Sequence, residues 1–106
     1  MSYHVEIAES AERDLTEIMD VVAFAYGDAI GADRLARRIL DAIESLDEMP
    51  HRYPLSRNLV LAALDCHQFT VGNFNMVYRI DDAANVVNVV AIAYYRRLTD
   101  FVANRI

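Results

Sequence analysis

The stretch from Cys66 to Arg97 restricts the fold more than any other part of the chain. Cys66 to Val71 reads as a strand, Gly72-Asn73 as a turn, and Phe74 to Ile80 as a second strand. After Asp81-Asp82-Ala83-Ala84-Asn85 comes a long apolar strand, Val86 to Tyr95, which runs directly into Arg96-Arg97. A two-residue loop places Val71 opposite Phe74. Side chains alternate across a sheet, so His67, Phe69 and Val71 share a face with Phe74, Met76 and Tyr78. That face is apolar and is the core side. Cys66, Gln68 and Thr70 share the opposite face with Asn75, Val77 and Arg79, and this second face is expected to be open. Val86 to Ala93 is apolar on both sides, as a central strand requires.

The sheet is preceded by one short strand and two amphipathic helices. Tyr3 to Ile7 alternates apolar and polar, with Tyr3, Val5 and Ile7 inward. Ser10 is the expected N-cap of a helix whose first turn carries Glu12 and Asp14 at the positive end of its dipole. Ala11, Leu15, Ile18, Val22 and Ala25 recur at helical spacing, and Gly27 is the stop. Asp28 caps a second helix with Leu35, Ile39, Ala42, Ile43 and Leu46 on its inner face, ended before Pro50. The short link predicts an antiparallel helical hairpin. Met49 to Pro54 reads as an extended connector. Periodicity leaves Leu59 to Leu64 open between a short helix and a buried strand. The expected fold is α+β, a helical hairpin on a small, mainly antiparallel sheet, in one domain spanning residues 1–106.

Composition narrows the functional classes. At 106 residues and 55% apolar content the chain can bury a core without metals or disulfides. A lone Cys66 and the absence of a signal-like start point to a reducing cytoplasm. No apolar run is long enough for a membrane span. Residues 1–50 hold 12 acidic and 4 basic side chains, a net of −8; residues 51–106 hold 4 and 6, a net of +2. All cations are Arg. The acidic half argues against general adhesion to nucleic acid, so any such contact is confined to the C-terminal half. The three His residues have no metal-ligand spacing, and no cofactor motif is present.

Taken together, Ser10-Ala11 with Asp14-Leu15 and Ile18, then Ala36, Leu40, Ile43 and Leu46, then Pro50, Arg52, Tyr53 and Pro54 form an ordered pattern. It continues through Val71-Gly72-Asn73-Phe74, Val77-Tyr78-Arg79-Ile80 and Arg96-Arg97. In this order the chain resembles the RelE/ParE superfamily of bacterial type II toxin–antitoxin toxins, over nearly its whole length. The resemblance implies two helices on a twisted antiparallel sheet and a small antitoxin partner. It also implies one of two targets: messenger RNA on the ribosome for RelE-like nucleases, or DNA gyrase for ParE-like members. A homodimer or a toxin–antitoxin hetero-oligomer is the implied assembly.

Cleavage of RNA through the ribose 2′-hydroxyl needs a base, an acid and cations converging on one phosphate. The strand positions that are basic in RelE-like nucleases correspond here to Cys66, Gln68 and Thr70, and Asn75 stands where an Arg is frequent. The Tyr that such nucleases carry near the C-terminus falls on Ala103. Arg79, Arg97 and Tyr95 are therefore the catalytic candidates that remain. Arg96, Leu15, Ile18, Leu35 and Ile39 are the candidates for partner contact. The thin cationic set favours the ParE-like reading; a nuclease, or a non-toxic antitoxin-binding module, are the alternatives. Each has an ordinary explanation: a hydrogen-bonded core His67, a solvated His51, an outward His4, a semi-buried structural Cys66, and an Arg79 paired with Asp81 or with a neighbouring strand.

Overall fold

The computed structural model describes residues 2–94 and residue 105. Strand β1 (His4–Ile7) leads into α1 (Glu9–Asp20), which continues through a π-helical turn, Val21–Ala25. Helix α2 (Ala29–Glu44) is followed by two short 3-10 turns, Ser45–Asp47 and Pro50–Arg52. A five-residue helix α3 (Leu59–Ala63) precedes β2 (His67–Val71), β3 (Phe74–Asp81) and β4 (Val86–Tyr94). The sheet order is β1-β4-β3-β2, with β1 parallel to β4 and the other pairs antiparallel. This is the α+β arrangement expected, with β4 central.

The hairpin register is as read from the sequence. Val71 pairs with Phe74 and His67 with Tyr78. Gly72 takes φ +59° at the first turn position, where a side chain would be strained and Gly is free. Phe69, Phe74, Met76 and Tyr78 join Val87, Val89 and Ile92 against Ala11, Ile18, Ile39, Ile43 and Leu46 of the helical side. Burial of such side chains at about 25 cal/mol per Å² is the main driving force here. Tyr53 stacks on Phe69 with ring centroids 4.4 Å apart, closing the core beside β2. A bulge between Val77 and Tyr78 changes the register against β4. Val77 faces Ala91 and Tyr78 faces Val89, so Val90 is the extra residue. The bulge turns Val90 and Ala91 together into a second apolar cluster on the far face.

Several expectations are corrected. Ala8, not Ser10, is the N-cap of α1; Ser10 lies inside the helix and its Oγ donates to the Val90 carbonyl at 3.1 Å. The apolar stripe does not run on to Ala25, because the π-helical turn changes the helical phase and leaves Ala25 exposed. Met49 to Pro54 is not extended throughout. Met49 escapes the clash with Pro50 by adopting φ 50°, and Pro50 then starts a 3-10 turn. The Arg52 guanidinium holds that turn, donating to the carbonyls of Ser45, Glu48 and Met49. Leu59–Ala63 is a helix, capped by Asn58, whose Oδ1 accepts from Val60 N and Leu61 N. Gly27, at φ +64°, and the Asp28 cap, accepting from Gly31 N at 2.8 Å, are as expected.

Two polar clusters fasten the ends of the sheet. At the first, β1 stops at Ile7 while β4 runs on to Tyr94. The β4 groups beyond β1 are taken over by side chains: Asp14 Oδ2 accepts from Ile92 N at 3.0 Å, and Arg105 Nη1 donates to Val90 O at 2.9 Å. Arg105 grips both Asp14 oxygens, at 2.7 and 2.8 Å. Asp14 was expected in the first turn; with α1 starting at Glu9 it lies beyond that turn, 6% exposed, on the Ala11–Ile18 stripe. At the other end, Tyr3 Oη and His51 Nε2 both hydrogen-bond Asp82 Oδ1 at 2.8 Å, joining β1, the Pro50 turn and the β3–β4 loop.

Both clusters yield tests. Removing the Asp14 carboxylate takes the charged partner from Arg105 and the acceptor from the Ile92 amide, so Asp14→Ala destabilises the fold by about 3 kcal/mol. Asp14→Asn, which still accepts from the amide, loses less; urea unfolding measures both, and equal stability of all three proteins would remove the clasp from the account. Asp82 is held below the usual carboxylate range, first by its hydrogen bond with His51 and then by that from Tyr3. A carboxylate depressed on folding stabilises above its unfolded pKa, about 3.9, and loses that contribution as pH falls through the folded value. Tyr3 is raised, chiefly by the same hydrogen bond to Asp82, so its contribution is present below about pH 10 and lost above its folded value. Thermal melts across pH should therefore give Asp82→Asn a shallower acid limb than the unsubstituted chain, and Tyr3→Phe a shallower alkaline limb.

Candidate functional site

The face of the sheet away from α1 and α2 carries the residues singled out for chemistry. It is not open as expected. Leu61 of α3 packs on Cys66, Val77, Val90, Ala91 and Ala93, and all of these are buried. The loop before α3 follows the outer edge of β2: Ser56 N donates to Cys66 O at 2.8 Å, and Leu55 bridges His67. Periodicity could not place Leu59 to Leu64, and that segment is what covers the face.

A chain of polar groups crosses the same face. Ser56 Oγ donates to Gln68 Oε1 at 2.8 Å, and Gln68 Nε2 donates to Asn75 Oδ1 at 2.8 Å. Asn75 is 1% exposed, and its Nδ2 has no acceptor among the described residues. Gln68 and Asn75 thus hold each other and brace β2 against β3. Cys66 is fully buried, and burial raises its thiol pKa, with Arg79 opposing and Asp65 assisting. A protonated buried thiol is a poor nucleophile, which agrees with the structural role expected.

Arg79 is exposed on β3 opposite Asn88. Among the described residues it forms no ion pair, so the expected bridge to Asp81 is not made. Tyr95, Arg96 and Arg97 lie outside the described residues. Ile18 and Ile39 are core residues at 8% and 0% exposure, and Leu15 and Leu35 pack against the same cluster. The hairpin's inner face packs on the sheet, with Leu15 and Leu35 left half-buried. Its exposed large apolar residues are Val21, Phe24, Tyr26 and Ile30.

The histidines separate by role. His67 Nδ1 donates to Tyr53 O at 2.8 Å and its ring stacks on Tyr78, as a structural His should. Tyr78 is fully buried; burial, partly offset by Arg52, pushes it up to about 12, and its hydroxyl donates to Pro50 O. His4 points outward beside Glu6. His51 is exposed but not simply solvated, since Asp82 binds it and its ring meets Tyr3 and His67 edge-on. The two signals missed in the sequence were local: an acid on an apolar stripe for Asp14, and a His beside a Pro-led turn for His51. Among the described residues no three His, Cys, Asp or Glu side chains are arranged to hold a metal ion. No described helix is long and apolar enough to cross a membrane.

Solved structures share this architecture. The toxin–antitoxin complex RelBE2 of Mycobacterium tuberculosis contains a chain with TM-score 0.65 and 20% identity, over 89% of this chain and 99% of that one. The chromosomal ParDE system of P. aeruginosa gives TM-score 0.72 at 14% identity, over 88% and 96%. Free E. coli RelE, as a double mutant, gives 0.68 at 14% identity, over 100% and 99%. At these identities the likeness is one of fold. No curated protein sequence matches the chain. A family model described as the ParE toxin of the type II toxin–antitoxin system parDE matches residues 5–99, nearly the full length. The chain belongs to this ParE toxin family of type II toxin–antitoxin systems.

Proposed function

We propose that this toxin is neutralised by a cognate antitoxin and, when free, acts in the cytoplasm by binding DNA gyrase rather than by cutting RNA. One observation carries the choice of target. The far face of the sheet, from which RNA cleavage would have to be run, is filled by Leu61, Cys66, Val77 and Ala91. On the described strands it offers one exposed cation, Arg79. General acid–base cleavage needs at least two titratable groups converging with a cation on one phosphate. His51 and His67 belong to the opposite, helix-covered side or to the loop end, held by Asp82 and Tyr53. Inhibition by surface contact asks for no such convergence.

The antitoxin part of the reading draws on the relatives, several of which were solved as toxin–antitoxin complexes. The edge strand β2 has, beyond Gln68, no further strand alongside it among the described residues, which suits addition of a partner strand.

Expression of the chain alone tests the target. Growth arrest should come with stabilised gyrase–DNA cleavage complexes and induction of the DNA-damage response, and with no new 5′ ends in messenger RNA. Arg79→Ala should leave the arrest within about twofold, as for other exposed substitutions that break no partnership. New transcript ends that vanish in Arg79→Ala would overturn the gyrase reading and install Arg79 in a nuclease site.

A further inference from the structure

The tip of the helical hairpin spends none of its large apolar side chains on the core. Phe24 is 82% exposed, Tyr26 73%, Ile30 70% and Val21 44%. The cause is the π-helical turn Val21–Ala25. A continued α-helix would have carried the Ala11–Ile18 stripe into Val22 and Ala25. The wider turn shifts the phase and sends Val21 and Phe24 outward. Turns of this kind are rare and cluster at functional positions.

Charge specifies what covers the tip. Between Asp14 and Asp33 the sequence has five carboxylates and no cation. Asp14 is buried with Arg105, Asp33 is paired with Arg37, and Asp28 caps α2. Glu17 and Asp20 are exposed, and each stands four residues before one of the outward apolar side chains, Val21 and Phe24. Residues four apart are neighbours on a helix surface. The tip is therefore an apolar patch with the carboxylates of Glu17 and Asp20 on its α1 rim, and one exposed cation, Arg34, four residues after Ile30 on its α2 side. A second copy docked tip to tip would bring the same carboxylates together, and nucleic acid or an anionic membrane would be repelled.

We propose that the hairpin tip is a docking surface for a basic amphipathic helix of a partner protein. Its Leu- or Phe-type stripe covers Phe24, Tyr26 and Ile30, and its Lys or Arg residues meet Glu17 and Asp20. Under the toxin reading that helix belongs to the antitoxin, and this identification alone rests on that reading. A basic neutralising segment also suits a chain of net charge −6.

The probe is a Lys/Leu amphipathic peptide of about 18 residues, long enough for five helical turns, beside its Glu/Leu counterpart. Fluorescence anisotropy should give binding of the Lys/Leu peptide only, weakening at least about tenfold between about 0.05 M and 0.5 M salt. Phe24→Ser with Ile30→Ser, and separately Glu17→Lys with Asp20→Lys, should each weaken it by about tenfold or more. Circular dichroism melts keep the fold in view. Leu59→Ser, a change at a residue 85% exposed on α3, should leave binding unchanged. Tip variants that bind as the unsubstituted chain does, or an equal loss in Leu59→Ser, would overturn the proposal. So would a dimer in sedimentation that Phe24→Ser dissolves, since the occupant would then be a second copy. Growth arrest in a chain that fails to bind the peptide leaves the toxin reading standing and removes this one.

Discussion

Strand β4 is nine residues long and its parallel neighbour β1 is four, and the rest of the molecule is arranged around that mismatch. Past Val89 the outer edge of the central strand has no strand beside it among the described residues. Backbone groups left unpaired there would cost more than the average hydrogen bond gains. The chain meets this by starting α1 two residues after β1 ends, so that Ser10 and Asp14 fall against β4. Ser10 takes Val90 O and Asp14 takes Ile92 N. A carboxylate buried in that position needs a counter-charge, and Arg105 supplies it from the far end of the sequence. The bulge at Val90 is part of the same solution, since the bulged residue's carbonyl accepts from both Ser10 and Arg105. Residues separated by 91 positions are thereby tied to one strand edge.

How far this was legible depends on the length scale of each signal. The β2–β3 hairpin was readable because Gly72-Asn73 and strict alternation are local and mutually consistent, and the register followed from them. The two helices were readable from their stripes, but their ends were not. Ser10 has the chemistry of an N-cap, yet strand pairing places the helix start at Ala8, where the backbone rather than a side chain makes the first turn. Asp14 was misread because its partner is 91 residues away, although a carboxylate between Ala11 and Ile18 was itself a clue. The far face was misread for a different reason. Leu59 to Leu64 is short and apolar, so periodicity could not say that it lies across Cys66 and Val77.

That last error bears on function more than the others. A face judged by its own strands alone consisted of small polar residues and one Arg, and seemed available to a ligand. With α3 in place, Gln68 and Asn75 become an internal brace and Cys66 a packing residue. The far face is thus filled at its centre, and Arg79 is its exposed cation on the described strands.

Charge then distinguishes the two halves of the sequence. The helical hairpin is acidic, with exposed carboxylates at Glu12, Glu17, Asp20, Asp41 and Glu44, while residues 51–106 carry a small excess of Arg. A basic protein segment is therefore drawn to the hairpin. Asp14 is the link between the hairpin and the sheet, since its carboxylate sits on α1 and takes both the Ile92 amide and the Arg105 guanidinium.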